Sequence, residues 1–224
     1  MKEGLFLYEH GVPPYNGGVC HQVGRPLVPQ GNCEAPLLLA LFSIVGSQDM
    51  AIAIVFSAVD ILCARYLTII ASEKEEKWKI AAQFATPYRR NMLTGRFLFN
   101  PFTLATCLGR SSSVFSNLAV LASIAHAHQG THSLSPWLLT GGLGGSAMVE
   151  LAMASYLSLY PALLLPPLLL CRNLKVAALI SQYSLKMSIS KLSAIFILAL
   201  LAVLALSYVL VGSWSFLAST YGVM

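Results

Sequence analysis

Charge is what this chain has least of. Fourteen Lys/Arg and nine Asp/Glu are spread over 224 residues, 10% of the total, against 56% apolar side chains and a mean hydropathy of +0.69. One water-soluble core cannot hide so much apolar surface, so the composition points to a polytopic membrane protein. Catalytic signatures are missing as well. There is no G-x-S-x-G, no H-E-x-x-H, no Asp-x-Asp and no Asp-rich loop suited to a metal-bound sugar phosphate. Without a nucleophile, a base and an orienting group together, the residues support neither a catalytic site nor a cofactor. The five cysteines (20, 33, 63, 107 and 171) form no C-x-x-C pair, which removes the usual zinc and redox patterns. Three of them lie in apolar runs and read as small hydrophobes, while Cys20 and Cys33 would pair only in an oxidising lumen. No basic and then apolar leader opens the chain, no N-x-Ser/Thr occurs, and no internal repeat is visible.

Apolar runs occupy 36–47, 50–71, 97–127, 137–171 and 192–211. At about 1.5 Å per residue a crossing takes about 20 residues, so 50–71 and 192–211 fit one span each. The two longer runs exceed a single straight helix and contain their own breakers. Asn100-Pro101 and Gly109-Arg110-Ser-Ser-Ser interrupt the first; Gly141 to Gly145, Pro161 and Pro166-Pro167 interrupt the second. The expected fold is therefore all-α, a polytopic membrane helix bundle with broken or kinked spans and re-entrant pieces. In domain terms, 1–35 form a polar front loop and 36–224 the membrane domain.

The net charge of +5 has no aromatic-basic surface pattern, which argues against nucleic acid, and the basic residues instead flank apolar runs. Residues 72–96 carry six Lys/Arg, and 172–191 carry four with no acid. Both segments are expected as cytoplasmic loops. An even number of crossings between them then puts the histidine-bearing turn 126–136 on the far side, together with 1–35 and 212–224.

Ionisable residues inside apolar runs are costly, which singles out Asp60, Arg65, Arg110 and Glu150. Asp60 either meets a cation on another helix or stays protonated inside the bundle, and a structural role is favoured. Arg65 snorkels, and Glu150 follows a Gly/Ser-rich stretch that favours close helix packing. Arg110 followed by Ser111, Ser112 and Ser113 combines a guanidinium with capping hydroxyls. Such a group either binds an anion such as phosphate or caps an ordinary kink. His126, His128 and His132 have a spacing that suits zinc, but no fourth ligand accompanies them, so no metal is expected and a wet loop is the preferred reading. "GGLGGSA" lacks the lysine of a phosphate-binding loop and reads as packing or hinge.

Four motifs, taken in order, resemble subunit U of the GPI transamidase (phosphatidylinositol glycan class U). The front segment "EGLFLYEHGVPPYNGGVCHQ" matches at Glu3, Gly4, Gly11, Pro14, Tyr15, Gly17 and His21. "FNPFTLATCLGRSSSVFSN" matches at Asn100, Pro101, Thr103, Cys107, Arg110, Ser111 and Asn117. "SYLSLYP" carries Tyr156, Ser158, Leu159, Tyr160 and Pro161, and "GSWSFLASTYG" carries Ser213, Trp214, Phe216, Tyr221 and Gly222. Two departures stand out: residues 23–35 look like an insertion after His21, and Ser215 stands where the family has an acid.

The resemblance implies a non-catalytic, multi-pass subunit of the endoplasmic reticulum membrane, with a fold like that of multi-spanning ER glycosyltransferases. It implies that the chain helps recognise or hold the GPI lipid while other transamidase subunits attach it to protein C-termini, and that it meets the proprotein's C-terminal signal only indirectly. It also implies a membrane helix before Met1 and roughly half of the family's chain after Met224. Tyr15, His21, Asn100, Arg110, Ser111, Asn117, Tyr160 and Trp214 are the residues expected to serve lipid recognition or assembly. Two other classes stay open. One is a dolichyl-phosphate-sugar-dependent ER mannosyltransferase of GPI biosynthesis, which would need an acid such as Glu9 as its base. The other is a broken-helix transporter.

Overall fold

The computed structural model describes residue 10 and residues 35–45, 49–77, 87–129, 143–170 and 182–221. The described secondary structure is helical, with no strand among the described residues: α1 (Pro36–Val45), α2 (Asp49–Lys77), α3 (Pro87–Leu98), α4 (Pro101–Leu108), α5 (Ser113–Gln129) and α6 (Leu143–Leu157). There follow α7 (Tyr160–Leu170), which opens as a 3-10 turn over Tyr160–Leu164, α8 (Gln182–Val211) and α9 (Ser215–Tyr221). Two helices contain stretches long and apolar enough to cross a bilayer, Met50–Ser72 in α2 and Ile189–Val211 in α8, while α1, Ser113–Ala127 and α7 are shorter apolar helices. With that composition and no described strand, the chain is an all-α membrane protein.

The long apolar runs break where the sequence carries its breakers. Asn100 stands outside the helical region (φ −67°, ψ 129°) and its side chain accepts a hydrogen bond from the Phe102 N–H at 3.0 Å, with Pro101 as the first helical residue of α4. That is the arrangement an N-cap followed by proline favours. The second run breaks after Leu157, where Pro161 enters the 3-10 turn. The basic segments are less loop-like than expected. The Glu/Lys-rich end of α2 stays helical to Lys77, α3 starts at Pro87 inside 72–96, and α8 starts at Gln182 inside 172–191. Long straight side chains propagate a helix well beyond the apolar limit.

The chain divides into two compact units, residues 56–200 and residues 1–55 with 201–224. In the first unit α5 and α6 pack against each other. Ala127, Ala147, Met148, Leu151, Ala152 and Leu168 share a core with Leu192 and Phe196 of α8. If α6 and α7 formed one straight rod, Leu168 would stand about 24 Å beyond Ala152; its place in that core shows that the chain folds back near Ser158. Alanines at 147, 152 and 154 are fully covered, so small side chains let the helices approach closely. Hydroxyls inside this unit are satisfied locally: Ser123 donates to the Val120 carbonyl and Ser155 to that of Leu151, each at 2.8 Å.

In the other unit Leu38, Leu39 and Phe42 of α1 are buried. There α8 ends at Gly212, whose φ of +75° is the left-handed conformation glycine adopts without a Cβ penalty. Its N–H bonds the Tyr208 carbonyl at 2.7 Å, and the turn leads into α9.

Two aromatic contacts orient α5. Phe56 meets Phe115 edge-on with ring centroids 5.4 Å apart, and Tyr66 meets His126 at 5.7 Å. Between these contacts both helices advance by about 15 Å, so α2 and α5 run in the same direction. The expectation for the histidine turn is thereby corrected. His126 belongs to a helix, and it lies at the end of the unit where α2 leads into the first basic segment, not at the opposite end. To reach Phe115 at the level of Phe56, the chain returns between α2 and α5, the part of the sequence that contains α3 and α4.

Replacing Ala152 by Phe overfills the α5–α6 core and is expected to cost about 1–3 kcal/mol, whereas Ile197→Ala on the exposed face of α8 should shift stability by less than about 0.5 kcal/mol. Thermal unfolding of the purified full-length protein in detergent separates the two.

Candidate functional site

The junction between α4 and α5 collects the most chemistry. It lies against α2, where Ser57 and Asp60 face Cys107 of α4. Asp60 is buried and lies near the middle of the Met50–Ser72 stretch. Cys107 is thus level with mid-span, and Phe115 is level with Phe56, about 6 Å nearer the start of α2. Residues 109–112, between them, form a helix break in the half of the span that lies away from the basic segments. Asp60, expected to have a structural role, faces Cys107 of α4.

Non-helical backbone at this depth must find its own partners. The Arg110 N–H bonds the Cys107 carbonyl at 3.1 Å and the Ser111 N–H bonds the Thr106 carbonyl at 3.0 Å. This paired pattern is a Schellman ending, and it puts Arg110 at the position that normally takes glycine. Arg110 accordingly has φ +50°, and among the described residues it is the non-glycine with positive φ. The preceding glycine does not take that place. Gly109 has φ −73° and is needed for another reason, because a Cβ there would come within 2.9 Å of the Ala105 carbonyl oxygen. A left-handed arginine costs about 1–2 kcal/mol relative to glycine.

The junction then re-enters helix. The Ser111 Oγ accepts from the Ser113 N–H at 3.4 Å and shares a 2.8 Å hydrogen bond with the Ser113 hydroxyl. Val114 and Phe115 donate to the Ser111 and Ser112 carbonyls. The capping half of the sequence expectation is therefore present, with Arg110 preceding it in the chain.

The other expected residues lie in different places. Asn117 is exposed on α5, and Asn100 serves as the N-cap of α4. Tyr160 is exposed at the start of α7, where the chain folds back. Trp214, in the unit formed by 1–55 and 201–224, stacks on Tyr208 at 4.8 Å and on Phe216 at 6.1 Å, next to a Ser213–Ser215 hydroxyl pair 2.7 Å apart. Tyr15 and His21 lie outside the described residues, as do Cys20, Cys33 and the segment 23–34.

Sequence reasoning missed one pairing. The Nδ1 of His126 lies 2.8 Å from both carboxylate oxygens of Glu150, linking α5 to α6. The Tyr66 ring lies edge-on to the imidazole. Glu150 was expected to pack and His126 to belong to a wet turn or a zinc set. Instead each explains the other, and among the described residues no cluster of three metal-ligating side chains forms. His132 lies outside the described residues, as does the side chain of His128. The signal was available: two ionisable residues occur inside consecutive apolar runs, one near the end of the first and one near the start of the second.

Two outcomes follow from this geometry. Glu150→Ala should destabilise the protein by about 1–3 kcal/mol, because it leaves the imidazole without its partner, and replacing both residues (His126→Phe with Glu150→Leu) should recover most of that loss. Arg110→Gly should stabilise the fold by about 1 kcal/mol by relieving the left-handed backbone. Both are read from unfolding midpoints in detergent.

The comparisons with known proteins agree among themselves. A family model described as "GPI transamidase subunit PIG-U" matches residues 1–224. The chain is 30% identical over 226 residues to the "GPI transamidase component GAB1" of Saccharomyces cerevisiae, covering 99% of this chain and 46% of that protein. It is 26% identical over 242 residues to the "GPI-anchor transamidase component PIGU" of Mus musculus and 25% over 243 to that of Homo sapiens, covering 99% of this chain and 50% of each. The chain therefore spans about half the length of the relatives it matches. A match along all 224 residues that includes the broken helix at Arg110 decides the matter: the chain belongs to the PIG-U family of GPI transamidase subunits.

Proposed function

We propose that this chain acts as a non-catalytic subunit of the GPI transamidase complex, helping to hold or recognise the GPI lipid for attachment to protein C-termini in the endoplasmic reticulum. The observation that carries this reading is the whole-length family match together with a helix break that presents Arg110 and the Ser111–Ser113 hydroxyls within the span of α2. A phosphate is the natural ligand of a guanidinium beside hydroxyl groups, and a GPI lipid carries phosphate next to its acyl chains. Tyr160, Asn117 and Trp214 are proposed as further lipid or assembly contacts, and Tyr15 and His21 as contacts of the front loop. No residue is assigned to bond cleavage; that chemistry is proposed to belong to partner subunits, which also meet the proprotein's C-terminal signal.

The proposed topology is multi-pass. With the basic segments on the cytoplasmic side, α2 runs from lumen to cytoplasm, α3 and α4 return, and α5 repeats the direction of α2. The fold-back of α6 and α7 makes a re-entrant hairpin from the cytoplasmic side, and α8 crosses to the lumen. Residues 1–35 and 212–224 are then lumenal, as expected from loop charge, while the histidine turn joins the cytoplasmic side.

The test uses the full-length protein in cells that lack it. Tagged protein should co-purify with the other transamidase subunits and restore GPI-anchored proteins to the cell surface. Arg110→Gln should still co-purify but lower anchoring by about tenfold, the loss of one hydrogen bond to a charged group. Failure to co-purify, or full anchoring by the variant, would count against the assembly and lipid-holding parts respectively.

A further inference from the structure

The long apolar helices turn bulky apolar side chains outward, as a surface against lipid requires: Ile54, Ile61 and Leu62 on α2, and Ile197, Leu198 and Leu201 on α8. Helix α5 departs from this. From Ser113 to Ala127 every residue is buried or half-buried except one, and that one is Asn117. Among the described residues its carboxamide finds no hydrogen-bond partner. Its depth follows from the aromatic contacts. Phe115 lies level with Phe56 and the two helices run the same way, so Asn117 comes level with Ala58, about 4–5 Å from the middle of the Met50–Ser72 stretch. About 10 Å of hydrocarbon then separates it from the nearer interface.

A carboxamide on a single methylene cannot snorkel that far, as an arginine can. Lipid esters and headgroups lie at the interface, and acyl chains supply neither donor nor acceptor. What satisfies an asparagine at this depth is a polar side chain on a neighbouring helix. Ser113, one turn earlier on the same face, is small enough to let a second backbone come near. The described helices of this chain leave the position open, and the family to which the chain belongs is one of complex subunits. We propose that Asn117 is an assembly contact inside the bilayer, where a transmembrane helix of another transamidase subunit packs on α5 and bonds the carboxamide through a Ser, Thr, Asn or Gln side chain. The inference rests on the subunit reading above and sharpens it by assigning Asn117 to assembly and not to lipid.

The experiment uses the full-length protein in its complex, with photoreactive benzoylphenylalanine in place of Asn117. The same probe at Ile61, on the exposed face of α2, marks labelling by surrounding lipid. At 117 the probe should capture another subunit. Two small substitutions test the contact without a bulky group. Asn117→Leu should raise the apparent Kd for the remaining subunits in detergent about fivefold, what one interhelical hydrogen bond supports, while Asn117→Gln keeps most of the affinity. The unfolding midpoint of the isolated protein should not move with Asn117→Leu, which separates assembly from a role in its own fold. Unchanged affinity in Asn117→Leu would overturn the proposal. So would modification of Asn117→Cys in the assembled complex by a membrane-impermeant maleimide, which would reveal a water-filled crevice. If the complex assembles but the probe at 117 captures only lipid or only this chain, the subunit reading stands and the Asn117 contact fails. If the unmodified chain brings no other subunit with it, the subunit reading itself fails, and this inference with it.

Discussion

Within hydrocarbon, water cannot complete the hydrogen bonds of an interrupted helix, so a break inside a span persists only where the chain satisfies itself. Most of what is distinctive here follows from how the α4–α5 break meets that demand. Its carbonyls are closed by a Schellman pair and its amides by Ser111 and Ser112, and Cys107 just before it faces Ser57 and Asp60 of α2. The same accounting makes Arg110 left-handed. Among the described residues two helices end on a left-handed residue, and the contrast between them is informative. At the end of α8 the left-handed residue is Gly212, the choice with least strain, with no charged side chain to place. At the end of α4 the same conformation is imposed on an arginine although a glycine is adjacent. The adjacent glycine has its own place to fill, because a Cβ at Gly109 would meet the Ala105 carbonyl oxygen at 2.9 Å.

The His126–Glu150 pair does comparable work for the hairpin. It joins α5 to α6 at the end of the unit that holds the first basic segment, where both side chains keep about a quarter of their surface exposed. Each partner is costly alone in an apolar setting and acceptable together with the other. Small residues complete the arrangement: the covered alanines of α6 let the helices come close enough for the pair to form.

Function in this reading is a matter of holding rather than bond-making. The proposed role draws on the Ser111–Ser113 hydroxyls at the helix break and on the chain's place in the PIG-U family. The fold-back of α6 and α7 brings the exposed Tyr160 to a turn, and the Trp214 stack gives the end of α8 an aromatic surface of the kind found at membrane interfaces.

Hydropathy, and proline and glycine placement, were enough to read the helical class, the two long spans and the breaks near 100, 110 and 160. These depend on residues close together along the chain, and a helix's beginning, end and apolar length are local properties. The family resemblance was equally legible, because its motifs are short and ordered. Only the tertiary structure decided that α5 runs with α2, that His126 belongs to Glu150 rather than to a metal, that Asp60 faces a thiol, and that Arg110 rather than Gly109 takes the left-handed turn. Each of those depends on the depth and rotation of one helix against another, and side chains 24 residues apart meet only once packing has set both.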